Sequence, residues 1–353
     1  MMSASELSEA IRAGQVIYEQ DCSGADYAGV AMAGGIFNAV NFAGTNFNGA
    51  NLNECIFQDC TMDGADLQSA NCTRATFVNC RMRDQKAEGI QMVKAKLVNV
   101  DATGSKFNGM YLYESILNDV KLTGSDLSNS IISKCVMNKI SLDSAILSHV
   151  SMSRCALVKA DLHTAQVENI NFQQVVLQDG DLHGLDLSGC MIVQSQMRGC
   201  NLENVKFTDA ELTQTGFMEA RLTNADFSRA RARNTIFSGA IVLNAKLTGA
   251  DLYQSHFQNA DISGCDLERA NIYAGSFTDC RAMGVNFQHA ELTYADFSHA
   301  DISAARFSGA TLMRAKLHAT IEDDTDWSGA DRDAALGTDT DRLEAEQWQA
   351  ANN

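Results

Sequence analysis

The sequence predicts an all-β solenoid, on three observations. An apolar residue recurs at every fifth position, the residue two before it is mostly small, and none of the 353 residues is proline. Residues 250–273, ADLYQSHFQNADISGCDLERANIY, show the first two together: Leu252, Phe257, Ile262, Leu267 and Ile272 keep a beat of five that suits neither a helix nor an ordinary strand.

The beat is nearly chain-long. All 60 positions numbered in 2 or 7 from Cys22 to Leu317 are hydrophobic, and all sixteen phenylalanines fall among them. At 45% hydrophobic content, chance would achieve this with odds of about 10⁻²⁰. Two residues earlier stand small residues such as Ala250, Cys265 and Ala270, with Asp251, Asp266 or Asn271 in between. Residues two apart on extended backbone point the same way, so small and large residues share an inner face and the Asp or Asn points out. The remaining two residues of each five turn the corner. Such a unit has no core of its own and is stable only when stacked coil on coil.

The absence of proline fits, because each proline would remove an N–H from the stacking ladder. Met110, Leu185 and polar Gln85 are oversized for the small position and are expected to distort their coils. The segment RMRDQKAEGIQ, 81–91, with Ala87 as its centre, is expected to form a bulge or a loosened corner.

Open solenoid ends need covers. Residues 1–20 read as an N-terminal helical cap, with Ser3 and Glu6 at capping-box spacing and Leu7 and Ile11 on one face. Residues 333–353 read as an acidic C-terminal cap or tail, in which a helix over 340–349 would seal the end with Leu343 and Trp348. Trp327 keeps the beat and Arg332 breaks it, so the repeat body is placed at 21–332.

The pattern of small residue, Asp or Asn, Leu or Phe, then two variable residues resembles the pentapeptide repeat family across about 21–332. The resemblance implies a right-handed quadrilateral parallel β-helix with four pentapeptides per coil. Sixty pentapeptides then give about 15 coils, a rod of roughly 70 Å at a strand spacing of ~4.8 Å. A lag of twenty would stack Phe217, Phe237, Phe257, Phe277 and Phe297 in one interior ladder, with Phe37, Phe57 and Phe77 earlier on the same side.

Composition narrows the setting. Residues 1–20 lack the basic start and apolar run of a signal peptide, and no stretch is apolar for long enough to span a membrane, so a cytoplasmic protein without membrane attachment is expected. The net charge is −17, but ten acids against two bases lie in 321–353, which leaves the body only mildly acidic.

The chemical candidates are weak. Nine of eleven cysteines occupy the small inward position and read as small buried hydrophobes, although Cys60 with Cys80 and Cys135 with Cys155 stack at a separation that suits a disulfide. Reducing conditions and the lack of a CxxC pair favour thiols. His163 and His183, twenty apart in a column with Asp143 and Glu203, are the candidate metal or pH site. Phosphate loops, a nucleophile elbow and HExxH are missing from the sequence, so no enzyme and no cofactor are expected.

Surface columns carry more information. Asp186, Lys206, Asp226, Lys246 and Asp266 alternate in sign at lag twenty. Ile116, Val136, Ala156 and Val176 form an apolar outward column, with Val158 beside it and Tyr111, Tyr113, Ile131, Met191 and Val193 on the preceding side. A contiguous patch of this kind suggests a protein partner or a homo-oligomer contact. The function expected is therefore a non-catalytic interaction scaffold, and the tail after the repeats is similar to tails of pentapeptide repeat proteins of bacterial type VI secretion. The alternative implied by the resemblance is a DNA mimic that binds gyrase or topoisomerase IV and protects them from quinolones or peptide toxins. That would require a dense single-signed face matching one charge per ~1.7 Å of duplex. Direct nucleic-acid binding is not expected of so acidic a chain.

Overall fold

The computed structural model describes residues 2–348. Gln349 of the expected terminal helix, the rest of the tail to 353 and Met1 lie outside the described residues. The chain divides into two compact units, Met1–Leu185 and Asp186–Asn353, each a parallel β-solenoid.

In the first unit nine strands, from Val16–Tyr18 to Val176–Gln178, pair in parallel with partners twenty residues apart, as in Phe37↔Phe57 and Met137↔Leu157. Five more, from Gln91–Val93 to Asn171–Gln173, form a second sheet. Regular strand marks nine levels of this sheet in the first unit, fewer than the 15 coils expected of the whole chain. In the second unit the same twenty-residue register continues mostly as isolated bridges, such as Asp226↔Lys246 and Asp251↔Asn271. Outward residues account for the contrast. Ile36, Ile56, Ile116, Val136 and Val176 suit extended backbone, whereas Asp and Asn favour turns.

The strands are centred on the large residue. Ile36–Asn38 buries Phe37 alone, and the small residue sits at the corner, not at the start of the strand. Nearly every corner carries a left-handed residue, such as Gln254 at φ 55° and Gly264 at φ 72°. Backbone pairing runs to both neighbouring coils: Asn41 N–H donates to Gln20 O at 3.0 Å, and Phe42 N–H to Thr61 O at 2.7 Å. The N–H of the small residue instead closes the turn, as Ala25 N–H does by donating to Cys22 O at 3.2 Å.

The inner small position has its own chemistry. Ser105 Oγ donates to Met82 O at 2.8 Å, Ser255 Oγ to Ala232 O at 2.8 Å, and Cys55 Sγ to Met32 O at 3.0 Å. Each reaches a carbonyl 23 residues back, so a buried hydroxyl or thiol costs little there. All eleven cysteines are buried as free thiols, and burial pushes Cys55 up to about 12, which leaves it an inert thiol.

The expected distortions are absent. Residues 81–91 keep their turns and bridges, with Ala87 N–H donating to Lys106 O at 2.8 Å. Gln85 fits the inner position because its Nε2 donates to Met62 O at 3.2 Å, the same carbonyl bond that serine makes. Missing volume appears instead as a lumen cavity of about 30 Å³ lined by Met82, Met92, Ala102 and Met110, among others. Met110 and Leu185 are buried in undistorted turns. The residue out of line is Val167, which keeps the beat but is only half-buried.

Helix α1, Ala4–Arg12, has a complete capping box: Ser3 N–H donates to Glu6 Oε2 at 2.8 Å and Glu6 N–H to Ser3 Oγ at 3.3 Å. It buries Leu7 and Ala10, with Ile11 half-buried. At the other end Trp327 stacks on Phe307, centroids 4.3 Å apart, and Arg332 lies over its ring. Helix α2, Thr340–Gln347, buries no residue. Leu343 is half-buried and Trp348 is 74% exposed, so Trp348 does not provide the expected seal.

Candidate interaction face

The apolar column lies on the main sheet of the first unit. Ile116, Val136, Ala156 and Val176 are in direct register, and three of them are large and open, at 46%, 49% and 43% exposure for Ile116, Val136 and Val176. Val158 is half-buried beside them. On the preceding side Tyr111 pairs with Ile131, both exposed, and half-buried Tyr113 lies nearly parallel to Tyr111 with ring centroids 6.2 Å apart. Lys134 lies over Tyr113, contacts its hydroxyl and pairs with Glu114 at 3.3 Å. Bonds from Tyr113 and then Lys134 hold Glu114 below the usual carboxylate range. Met191 and Val193 belong to the second unit, the first exposed and the second half-buried.

Sequence reading missed the start of the same column. Val16, Ile36 and Ile56 precede Ile116 on this sheet and are exposed, with Tyr18 beside Val16, and only Thr76 and Lys96 intervene. The lag of twenty would have exposed it, had the column been followed back to the first coil.

The interior ladder is regular. Successive rings of Phe217, Phe237, Phe257, Phe277 and Phe297 lie 4.6 to 5.3 Å apart and within 14° of parallel. Phe287 and Phe307 stack on a neighbouring side and meet the ladder edge to face.

His163 and His183 stack at 4.7 Å, their planes 13° apart. Their Nδ1 atoms lie 2.6 and 2.9 Å from Oδ1 of Asp161 and Asp181, two residues back. Hydrogen bonding to Asp161 raises His163 above the usual imidazole range.

A second histidine cluster was invisible in sequence because it depends on how α2 docks. Asp339 N–H donates to His318 Nδ1 at 3.2 Å, so buried His318 carries its proton on Nε2 and donates to Glu346 Oε2 at 3.0 Å. His299 Nε2 lies 3.2 Å from the same oxygen and Arg342 Nε donates to Oε1 at 2.7 Å. The His318 bond, outweighing a small burial cost, holds Glu346 at about 2, with Arg342 assisting.

The charged column is mixed in sign. Lys206 meets Asp186 at 3.2 Å, and Asp266 accepts from Asn286 and Thr248. Among the described residues no helix is long and apolar enough to cross a membrane.

Known proteins agree on the fold family. A pentapeptide repeat region matches residues 32–107 and 250–327, and an eight-copy pentapeptide repeat model matches segments from 95–133 to 217–254. No curated protein matches the chain. Solved structures it resembles include HetL of the cyanobacterium Nostoc sp. strain PCC 7120, described as involved in heterocyst differentiation regulation, at 20% identity, 67% of this chain, 91% of that one and TM-score 0.20. Another is a trypsin-treated form of QnrB1, a plasmid-mediated fluoroquinolone resistance protein, at 17% identity, 62% and 99% coverage and TM-score 0.30. A third is Rfr23 of the cyanobacterium Cyanothece 51142, at 15% identity, 44% and 90% coverage and TM-score 0.11. Overlaps this low carry no functional argument. The repeat models, together covering most of the chain, do establish the family: this chain belongs to the pentapeptide repeat proteins.

Proposed function

We propose that the protein is a non-catalytic, cytoplasmic interaction scaffold whose apolar face in the first unit docks a protein partner. The observation that carries this reading is the in-register column Ile116, Val136, Ala156, Val176, with Tyr111 and Ile131 around the corner. Water-facing positions that selection could fill with Asp or Asn, as in the second unit, hold β-branched and aromatic residues instead. Such patches are a cost to a free solenoid and a gain to a docked one. Met191 and Val193, on the second unit, are a separate candidate contact. The tail's likeness to tails found in type VI secretion makes an accessory protein of that apparatus the finer form of this reading.

Affinity capture with the intact chain tests it beside the variant V136D/V176D. The outward sites tolerate charge, as Lys96 in the same column does, so the variant is expected to fold and to lose the partner. Equal capture by both proteins would overturn the assignment of the face. Mimicry of duplex DNA is the less favoured reading, since Lys206 interrupts the acidic column and pairs with Asp186. Neither inhibition nor protection of gyrase over a broad titration would remove it.

A further inference from the structure

Aspartate at the outward position in this fold binds the residue two places on. Asp261 Oδ1 accepts from Ser263 N–H at 3.1 Å and from Ser263 Oγ at 2.7 Å, and Asp301 treats Ser303 in the same way. Asp161 and Asp181 accept equally from the backbone N–H of His163 and His183, at 3.2 and 3.1 Å, and the imidazole Nδ1 takes the place of the serine hydroxyl. This substitution has a consequence that serine lacks. With Nδ1–H donated to a carboxylate, the neutral ring carries its lone pair on Nε2, on the opposite edge, which is the orientation that carboxylate-held histidines give to a metal. The stacking of the rings puts two such nitrogens side by side in neighbouring coils. Ligand atoms of His163, Asp181 and His183 lie within 4.8 Å of one another, and those of Asp143, Asp161 and His163 form an adjoining set.

We propose that His163 and His183 bind one divalent transition-metal ion, of the zinc or copper class, through their Nε2 atoms, with water completing the coordination. Imidazole ligands suit these ions better than magnesium or calcium, which prefer all-oxygen shells. Both rings are partly exposed, with side-chain exposures of 32% and 46%, so an ion has access and the rings have room to tilt together. Protons compete with the ion for these nitrogens. The His299, His318 and Glu346 cluster is a poorer candidate, because His318 Nδ1 accepts from Asp339 N–H and its proton therefore occupies the nitrogen facing Glu346.

The test is calorimetric titration of the full chain, free of any histidine tag, with Zn²⁺ and separately with Cu²⁺ at pH 7.5. One equivalent per chain is expected, with affinity falling at least tenfold in H163A and in H183A and unchanged in H299A. The double variant D161N/D181N keeps an acceptor for the backbone N–H, as Asn41 does for Ala43, so it folds. Losing the carboxylate behind each ring is expected to weaken binding by roughly 10 to 100-fold. No binding by the parent chain, or binding that both histidine variants retain, would overturn the proposal. Loss of binding in H163A and H183A with full affinity in D161N/D181N would overturn the orienting role of the aspartates.

Discussion

Phe257 and Phe277 lie twenty residues apart in sequence and stack with centroids 5.0 Å apart and planes within 3°. Both are fully buried. The contact shows the packing rule of the second unit: a large side chain touches the same position of the next coil, so its loss is felt by two neighbours. Phe257→Ala is expected to cost about 3 to 5 kcal/mol, read as a lowered denaturant midpoint. Exposed Arg269→Ala, which only breaks its pair with Glu268, should stay within about 0.5 kcal/mol.

Gln85 offers a change of opposite sign. Its Oε1 is buried without a hydrogen-bond partner, while its Nε2 makes the carbonyl bond that serine makes elsewhere. Gln85→Ser keeps that bond and removes the orphan acceptor. A gain of about 1 kcal/mol is expected, part of the benefit being offset by lost packing volume. Equilibrium unfolding of the two proteins measures it.

Corner residues give a paired prediction. Ala304 has φ 56° and Gly309 has φ 69°. Ala304→Gly should raise stability by about 0.5 to 1 kcal/mol, the left-handed penalty of alanine less the entropy cost of glycine. Gly309→Ala should lower it, by the same backbone penalty and because the new Cβ would lie 2.6 Å from His289 Nδ1. Thermal unfolding of the two variants reads the opposite shifts.

Docking of α2 depends on acid pH through Glu346. Its folded pKa, about 2, lies below the ordinary 4.5, so its contribution is present in full above 4.5 and is lost as pH falls from 4.5 towards 2. Amide exchange in Thr340–Gln347 should accelerate across that window, beyond the intrinsic dependence of exchange on pH. Glu346→Gln should remove the dependence.

Much of this fold was legible because one rule repeats. The five-residue beat assigns inside and outside at every position, and a lag of twenty names each vertical neighbour, which is how the Phe257 ladder and the column of Val136 could be drawn from sequence. Features that depend on compensation were not legible. Gln85 reads as a defect until its bond to Met62 O is seen, and a lumen cavity lies beside the small centre Ala102. The His318 and Glu346 contact joins a coil to a helix 28 residues on, outside any register, so no pattern announces it. Trp348 failed as a seal for a related reason: it follows a short polar helix in extended backbone, and no periodicity fixes where it points.

The central claim is that each coil closes after twenty residues, and cross-linking tests it most directly. Asp226 and Lys246 face each other in parallel register on the outside of the second unit, while the native thiols are buried. Adjacent strands bring Cα atoms to a separation that a disulfide spans. Oxidation of D226C/K246C followed by peptide mapping is expected to yield the 226–246 bridge in high proportion, and D226C/D251C, offset by twenty-five, is expected to yield almost none. Equal bridging of both pairs, or bridging of the second alone, would contradict a twenty-residue coil.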